Sequence, residues 1–397
     1  MGILSSRVAR LSESQTIAMA RRSRELKAQG IDIVNLSLGE PDFATPDAVK
    51  EAAKKAIDED FSHYTHVSGY LELRQAISKK FKRDNNLDYS AEQIVVSTGA
   101  KQSIANAVLS IIDPGDEIIV PSPYWVSYLD IIRLAEGKGV IVEAGLDTNF
   151  KVTAAQVKKA ITPKTKLFIF SSPCNPTGSV YTRKELEEIA AVLADHPSIY
   201  IISDEIYEHI NFVGKNESIG TIPSVKDRVI TVNGVSKAFA MTGWRVGYLG
   251  APLEIAKACD KIQGQITSAT CSIAQKATET AVLLDPSITD SMCAIFKTRR
   301  DLVLKLMKEI PGFKTNVPDG AFYVFPEVSY YFGKSYNGTT IKNATDLCFY
   351  ILDDARVSLV PGAAFGNDNY IRFSYAAAED QLIKALQRLK ESLARLA

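Results

Sequence analysis

The chain has 397 residues, of which 46% are apolar and 23% charged, as expected of a globular protein with about two or three domains. Its 46 basic and 46 acidic residues give a formal net charge of zero, which argues against a nucleic-acid partner or an acidic membrane surface. The chain has only four histidines and no Cys-x-x-Cys pair, so a metal site built from His and Cys ligands is not expected. These counts exclude several classes of protein without indicating an activity.

The five cysteines are odd in number and scattered along the chain, unlike a disulfide framework, and this favours a reducing compartment. No run of about 18 apolar residues occurs. Ser5, Ser6, Arg7 and Arg10 interrupt the N-terminus early, so we expect neither a membrane span nor an export signal. The sequence therefore predicts a cytoplasmic protein.

Between residues 46 and 285, short β-branched runs alternate with segments of helical period, a pattern typical of βαβ units. Thr182 and Glu185 predict a capping box at the start of one of the helices. This part of the chain predicts a large α/β domain around a mostly parallel sheet. The predicted strands lie at residues 93–96, 117–120, 166–170, 199–202 and 228–232.

From about Asp285 and Pro286 onward the pattern changes to a long polar helix, two apolar runs at 321–325 and 370–375, and a final helix that ends near Leu393. This order of elements predicts a smaller α+β domain over residues 286–397. Pattern alone does not assign residues 1–45. We predict that they join the small domain and provide an N-terminal arm.

Polar residues gather just beyond the predicted strands, where ligands bind in open α/β sheets. Gly99, Ala100 and Lys101 open a helix after the first strand, and a helix N-terminus suits a phosphate. Each residue also has an ordinary structural explanation, since Gly99 permits a tight turn and a lone lysine is commonly solvated. The occurrence of the whole set at successive strand ends favours a binding site. Its other members are Asn175, Asp204, Tyr207, Ser236, Lys237 and Arg245.

These residue types match what pyridoxal phosphate requires of a protein. A lysine that is partly withdrawn from water forms a Schiff base with an aldehyde, which predicts Lys237 as the attachment point. Asp204 is the candidate carboxylate that keeps the pyridine nitrogen protonated, although it can equally cap the next helix. The remaining predicted cofactor contacts are Asn175 and Tyr207 at the phenolic oxygen, and Arg245 with the amides of Gly99, Ala100 and Lys101 at the phosphate.

Four motifs in this order resemble the class I/II pyridoxal-phosphate-dependent aminotransferases, and the resemblance covers nearly the whole chain. It is closest to the bacterial-type aspartate aminotransferase branch, which shares Leu-Gly-Glu-Pro-Asp-Phe at 38–43 and Ser-Pro-Tyr-Trp-Val-Ser-Tyr at 122–128. The resemblance implies fold type I of the pyridoxal-phosphate enzymes. The four motifs are Asn-Pro-Thr-Gly at 175–178, Asp-Glu-Ile-Tyr at 204–207, Ser-Lys-Ala-Phe-Ala-Met-Thr-Gly-Trp-Arg-Val-Gly-Tyr at 236–248 and Tyr-Ile-Arg-Phe-Ser-Tyr at 370–375.

The resemblance also implies roles for residues that composition does not single out. Lys237 would carry the cofactor and shuttle the proton, with Asp204 and Tyr207 as the other catalytic residues. Trp125 would stack on the cofactor ring, and Ser236 would also bind the cofactor. Tyr64 would reach the phosphate of the neighbouring subunit, which implies a homodimer with shared active sites.

By the same resemblance, Arg372 would bind the α-carboxylate of the substrate. The strand pattern supports this independently, because Ile371, Phe373 and Tyr375 share one face and leave Arg372 on the other. Lys101 is the candidate for binding the distal carboxylate of aspartate or glutamate, although it can also be an exposed lysine at a helix start. The other implied substrate contacts are Gly39, Trp125, Asn175 and Thr16.

The predicted reaction is transamination between L-aspartate and 2-oxoglutarate, which gives oxaloacetate and L-glutamate. An aromatic, prephenate or kynurenine-type aminotransferase is the alternative on the same scaffold. Relatives that accept prephenate tend to carry Lys-Pro where this chain has Ser12 and Glu13, which counts against prephenate. A regulatory protein that binds pyridoxal phosphate is disfavoured by the neutral charge and by the early start of the aminotransferase pattern. A nucleotide-binding protein ranks last, since no Gly-x-Gly-x-x-Gly follows a strand.

Overall fold

The computed structural model describes residues 3–11 and 15–397, with the backbone alone for residues 15–18 and 20. The strands are β1 (Val34–Asn35), β2 (Ile94–Ser97), β3 (Glu117–Ser122), β4 (Lys138–Glu143), β5 (Thr165–Ser171), β6 (Tyr200–Asp204), β7 (Val229–Gly234), β8 (Gly247–Gly250), β9 (Tyr323–Val324), β10 (Ser335–Tyr336), β11 (Thr339–Thr340), β12 (Val357–Ser358), β13 (Val360–Pro361) and β14 (Ile371–Ser374). The α-helices are α1 (Ser6–Ala9), α2 (Gln15–Ala28), α3 (Asp47–Asp58), α4 (Leu71–Lys80), α5 (Ala100–Ile111), α6 (Ser127–Leu134), α7 (Ala154–Ala160), α8 (Arg183–Ala194), α9 (Leu253–Ile266), α10 (Ser272–Leu283), α11 (Asp290–Met307), α12 (Ala344–Tyr350) and α13 (Glu379–Leu393).

A seven-stranded sheet with the order β2-β8-β7-β6-β5-β3-β4 forms the centre of the structure. The neighbours β4, β3, β5, β6 and β7 are parallel, whereas β8 lies antiparallel to both β2 and β7. This confirms the predicted α/β class with a mostly parallel mixed sheet. Because six strands share one direction, the residues that follow them meet at one edge of the sheet.

The central strands are buried on both faces, which explains why they are nearly continuous apolar runs rather than alternating patterns. Successive side chains still point to opposite faces. Phe168 of β5 packs in one apolar cluster with Leu186 of α8, and the next residue, Ile169, packs in another with Ile104 of α5. The sheet is therefore held between two layers of helices.

Two strands of the central sheet were not predicted from the sequence. β4 lies at the edge and is partly exposed, so it lacks a clear apolar run. β8 is short and begins and ends with glycine, a residue that is uncommon inside strands. Gly247 is nevertheless required, because a Cβ there would lie 2.1 Å from the amide nitrogen of Ala100. β8 can thus pass directly against the turn that opens α5.

The predicted capping box at the start of α8 is confirmed. The backbone nitrogen of Glu185 donates to Thr182 Oγ1 over 3.3 Å, and the backbone nitrogen of Thr182 donates to Glu185 Oε2 over 2.8 Å. Two amides that the helix itself cannot satisfy are paired in this way, which stabilises its first turn.

Both ends of the chain contribute to one apolar cluster, which contains Leu26 and Val34 as well as Phe322 and Leu386. β1 pairs in parallel with β12, and β14 lies between β13 and β9 in an antiparallel sheet. We propose the domain division predicted from the sequence, 46–285 against 1–45 with 286–397, and this packing supports it. Tyr207 belongs to the same cluster, so the two parts share apolar contacts. Within residues 3–11 and 15–397, no helix has both the length and the apolar character needed to cross a membrane.

Candidate active site

A cavity of about 340 Å³ lies beyond the carboxyl ends of β5, β6 and β7. It brings together most of the predicted site residues. Gly99 does not line the cavity itself but lies against Arg245, which does. Tyr64 is fully exposed and lies elsewhere on the surface. The side chain of Thr16 lies outside the described part of the chain. The predicted residues that line the cavity are Gly39, Ala100, Lys101, Trp125, Asn175, Asp204, Tyr207, Ser236, Lys237, Arg245 and Arg372.

Lys237 is largely buried in the turn that follows β7, and its Nζ donates a hydrogen bond to the carbonyl oxygen of Gly39 over 2.6 Å. Burial lowers the pKa of this lysine to about 8, because a charged amine loses hydration there. The positive charges of Arg372 and Arg245 act in the same direction, and Glu40 opposes them. A larger fraction of Lys237 is therefore neutral near pH 7 than of an exposed lysine.

Asp204 is the last residue of β6 and is buried below the cavity. The hydroxyl of Tyr128 donates to Asp204 Oδ2 over 2.8 Å, and the amide of Ile206 donates to Oδ1 over 3.3 Å. Burial raises the pKa of Asp204 to about 6, although both hydrogen bonds and the charge of Lys237 lower it. Near pH 7 it is thus mainly an anion that faces the cavity and would be stabilised by a positive charge there.

Arg372 lies on β14 and is 3% exposed. Its Nη1 donates to Asn175 Oδ1 over 3.0 Å and its Nη2 to the carbonyl oxygen of Ser37 over 2.6 Å, while its buried Nε has no hydrogen-bond partner among the described residues. Within the same part of the chain, no carboxylate pairs with this guanidinium. A buried cation without an anion is costly, so the position suits a carboxylate from a ligand. As predicted from the strand pattern, Ile371 and Phe373 face the apolar cluster instead.

The N-terminus of α5 and the guanidinium of Arg245 form an anion-binding corner. Gly99 precedes the helix with a φ of 85°, and a Cβ there would lie 2.4 Å from Arg245 Nη2. The first amides of α5, beginning at Ala100, have no partner within the helix. Together with the helix dipole, they favour a phosphate beside Arg245.

Lys101 and Trp125 lie on the solvent side of the cavity. Lys101 Nζ is 5.1 Å from the centroid of the Trp125 ring, close enough for a cation–π interaction. Desolvation and then the nearby charge of Arg245 lower the pKa of this exposed lysine. The Trp125 ring packs edge-on against Tyr128, with 5.5 Å between centroids and 83° between planes. Lys101 therefore adds a positive charge on the solvent side to those of Arg245, Lys237 and Arg372, which line the same cavity.

Sequence reasoning missed two tyrosines of the site. Tyr128 ends the motif at 122–128, for which no role of this residue is predicted, and its hydroxyl donates a hydrogen bond to Asp204. Tyr323 lies in a predicted apolar run, yet it lines the cavity and its hydroxyl lies 2.9 Å from that of Tyr207.

Cys174 is buried, and burial raises the pKa of its thiol to about 11, so the thiol is protonated at neutral pH.

The arrangement fits pyridoxal phosphate. A buried lysine with a lowered pKa faces the cavity, as required of an amine that reacts with an aldehyde. A buried carboxylate lines the same cavity and would pair with a protonated ring nitrogen, and the corner of Arg245 and α5 would offer donors to a phosphate. The cavity thus offers a residue for each of these three roles: the amine, the carboxylate and the phosphate donors.

The fold and this site are those of a cofactor-dependent aminotransferase. The family model of aminotransferase class I and II matches residues 31–389, and the chain belongs to this family. It is therefore an enzyme that uses pyridoxal phosphate, and the resemblance inferred from its motifs is confirmed.

Individual relatives cover the chain from end to end. It is 45% identical over 399 residues to the probable aspartate/prephenate aminotransferase of Rickettsia bellii, with 100% of both chains covered. It is also 45% identical to the aspartate/prephenate aminotransferase of Cereibacter sphaeroides, again over 100% of each chain. Among solved structures, the aspartate aminotransferase from Rhizobium meliloti superposes with a TM-score of 0.96 at 40% identity and covers 100% of both chains. The Thermus thermophilus aspartate aminotransferase with maleate gives 0.92 at 39% identity over 99% of this chain and 100% of that chain.

Proposed function

We propose that the chain transfers the amino group of L-aspartate to 2-oxoglutarate, giving oxaloacetate and L-glutamate. The observation that carries this proposal is that two cations besides Lys237 and Arg245 line the same cavity. Arg372 is buried with a free Nε, and Lys101 lies on the solvent side next to Trp125. Both substrates are dicarboxylates, and each needs one positive group at either end. The names of the relatives support the same choice.

In this proposal Lys237 and Asp204 have different roles in the reaction. Bound pyridoxal phosphate supplies an electron sink for negative charge at the substrate Cα. Lys237 Nζ takes and returns the Cα proton, and its pKa of about 8 suits an amine that must do both near neutral pH. The anionic Asp204 stabilises positive charge in the cavity, and the hydroxyl of Tyr128 holds its carboxylate in place.

The binding roles follow from the same geometry. Arg372 binds the α-carboxylate, with Asn175 fixing the plane of its guanidinium. Because Asn175 Oδ1 accepts from Arg372, the amide nitrogen of Asn175 is left as the donor toward the cofactor's phenolic oxygen, where Tyr207 also donates. Ser236 and the stacked Trp125 complete the cofactor site, and Gly39 lets the backbone approach the substrate. Thr16 keeps its predicted role at the distal carboxylate.

The phosphate roles belong to Arg245 and the amides of Ala100 and Lys101. The amide of Gly99, which the sequence also assigned to the phosphate, donates instead to the carbonyl oxygen of Ser97 over 2.7 Å. Tyr64 is assigned to the phosphate of a second subunit, which makes the enzyme a homodimer with shared sites. Its complete exposure on the single chain supports a contact outside that chain. A cytoplasmic location is also part of the proposal, supported by the five free cysteines.

Replacement of the two lysines tests the proposal directly. Purified wild-type enzyme should bind pyridoxal phosphate with a visible absorbance band and convert aspartate, whereas Lys237→Ala should lose turnover even with added cofactor. Lys101→Ala should lower kcat/KM for aspartate by about 10- to 100-fold, the value of a charge-assisted hydrogen bond, and leave phenylalanine nearly unaffected. Lys158→Ala is a matched control, since it removes an exposed lysine from α7. An unchanged aspartate rate in Lys101→Ala would contradict the substrate assignment.

Prephenate is a second candidate acceptor, because relatives at 45% identity carry that substrate in their names. Ser12 and Glu13, on which the sequence argument against it depends, lie outside the described residues. An assay of prephenate against 2-oxoglutarate, with aspartate or glutamate as donor, decides between an aspartate enzyme and one with both activities.

A further inference from the structure

We propose that Tyr323 is a positioning residue of this reaction, whose hydroxyl holds the hydroxyl of Tyr207 so that the Tyr207 proton points into the cavity. This inference rests on the proposed function, in which Tyr207 donates to the phenolic oxygen of the cofactor. No role was assigned to Tyr323 by the sequence motifs. Its assignment comes from three contacts.

The first contact is the pairing of the two hydroxyls. Tyr323 lies on β9, whose partner in the sheet is β14, the strand of Arg372. Tyr207 lies in the turn after β6, so the 2.9 Å contact between the hydroxyl oxygens joins the small antiparallel sheet to the central sheet. Tyr207 is 4% exposed and Tyr323 is 0% exposed, so each phenol depends on the other for a partner.

The second contact fixes the direction of this hydrogen bond. Each phenol has one proton, so only one of the two hydroxyls can donate to the other. The guanidinium of Arg372 lies 4.6 Å from the ring centroid of Tyr323, and a cation at this distance makes a phenol a better donor. The amine of Lys237 is farther from the Tyr207 ring, at 5.9 Å. Arg372 also lowers the pKa of Tyr207, but there the carboxylate of Asp204 opposes it, whereas no anion of the described residues opposes Arg372 at Tyr323. Tyr323 is thus the donor, and the proton of Tyr207 stays free for the cavity.

The third contact prevents Tyr323 from moving away. A Cβ on Gly39 would lie 2.4 Å from the Tyr323 hydroxyl oxygen, so this hydroxyl packs directly on the Gly39 Cα. The carbonyl of the same glycine accepts the hydrogen bond from Lys237. Tyr323 is therefore held between the backbone that receives the catalytic lysine and the tyrosine it orients, with its ring against Arg372.

The test is a pH titration of the visible absorbance of the purified holoenzyme. A hydrogen bond donated to the phenolic oxygen favours the form of the bound cofactor with fewer protons. Tyr207→Phe removes this bond and should raise the pH at the midpoint of the absorbance titration. Tyr323→Phe should raise the midpoint in the same direction by a smaller amount, corresponding to about a threefold to tenfold change in proton affinity. The double variant should match Tyr207→Phe alone, because Tyr323 acts only through Tyr207.

Measuring KM for aspartate beside the midpoint of the pH titration separates a positioning role of Tyr323 from general damage to the fold. Tyr323→Phe keeps the ring against Arg372, so KM for aspartate should stay within about twofold, whereas Tyr323→Leu removes the ring and should raise KM. Tyr375→Phe is the control, since this buried tyrosine donates to the Ala321 carbonyl over 3.3 Å and does not line the cavity.

A midpoint that moves in Tyr207→Phe but not in Tyr323→Phe, or shifts that add in the double variant, would overturn the inference and leave the proposed function intact. If neither variant moves the midpoint, the assignment of Tyr207 and this inference both fail. Loss of transamination by the wild-type enzyme would instead contradict the proposed function itself.

Discussion

Asn175 Oδ1 accepts a hydrogen bond from Arg372 Nη1 over 3.0 Å, although the two residues are 197 positions apart in the chain. Asn175 follows β5 of the central sheet and Arg372 lies on β14 of the small sheet. The bond orients the guanidinium, whose buried Nε has no hydrogen-bond partner among the described residues. The residues proposed to contact the cofactor and the substrate are therefore joined in one unit.

This unit predicts that Asn175→Ala weakens substrate binding as well as cofactor binding. Arg372 would lose the hydrogen bond that orients it, and such bonds to charged groups contribute about 1.5–3 kcal/mol. We expect KM for aspartate to rise about tenfold or more. Steady-state kinetics at saturating pyridoxal phosphate measures this effect. A fall in kcat with KM unchanged would mean that Asn175 does not support Arg372.

Gly99 and Gly115 give a matched pair of substitutions for the anion-binding corner. Both have left-handed φ values, 85° and 92°, so alanine costs each backbone about 1–2 kcal/mol. Only at Gly99 would the new Cβ meet a site residue, 2.4 Å from Arg245 Nη2, whereas a Cβ on Gly115 would meet no described atom within 4 Å. We expect similar losses of stability, but weaker binding of pyridoxal phosphate in Gly99→Ala alone. Titration of the cofactor-free proteins with pyridoxal phosphate gives the two affinities, and equal affinities would contradict the phosphate assignment.

Polar residues that follow buried apolar runs in the sequence line one cavity in the structure. Asp204 and Lys237 were found this way, because parallel strands deliver their carboxyl ends to one edge of a sheet. Tyr323 was missed for a physical reason, since a tyrosine among apolar neighbours has the pattern of core packing and its hydroxyl partner is 116 positions away. β8 was missed because its glycines serve a close approach to Ala100 rather than strand propensity. Contacts between distant segments of the chain leave no periodic signal.

The lowered pKa of Lys237 predicts that this residue destabilises the cofactor-free protein at neutral pH. Below about pH 8 the amine is charged in both states, and the folded protein bears the full cost of burying the charge. Between about 8 and 10.5 the folded protein has released the proton while the unfolded chain still holds it, so stability rises with pH. The full cost corresponds to about 3 kcal/mol as an upper limit.

Lys237→Met removes this charge and keeps the length of the side chain. The cofactor-free variant should therefore be more stable than wild type at pH 7, and its advantage should shrink as pH rises toward 10.5. Urea unfolding of both proteins across this range measures the difference, because contributions from all other groups cancel between them. A difference that does not vary with pH would show that the folded and unfolded states hold the same number of protons on Lys237, which would contradict the lowered pKa.

Shared active sites predict that an inactive variant and a variant with weakened cofactor binding complement each other in one dimer. Tyr64 is fully exposed on its own chain and lies outside the cavity that Lys237 lines. If Tyr64 serves the phosphate of a second subunit, Tyr64→Phe should weaken cofactor binding. In a hybrid with Lys237→Ala, the subunit that keeps Lys237 would then receive an intact Tyr64 from its partner. One of two sites would be complete, and at limiting cofactor the hybrid should recover about half of the wild-type activity.

The hybrid is prepared by mixing differently tagged variants, dissociating and reassociating them, and purifying the doubly tagged species. If Tyr64 served its own chain, the site with Lys237 would carry phenylalanine at position 64, and the hybrid would be no better than the Tyr64→Phe parent per active site. Tyr330→Phe is the control, because it removes the hydroxyl of another exposed tyrosine, 51% accessible, on the small-domain side. Paired with Lys237→Ala, it should give half-activity whether or not sites are shared, which calibrates the yield of assembled hybrid.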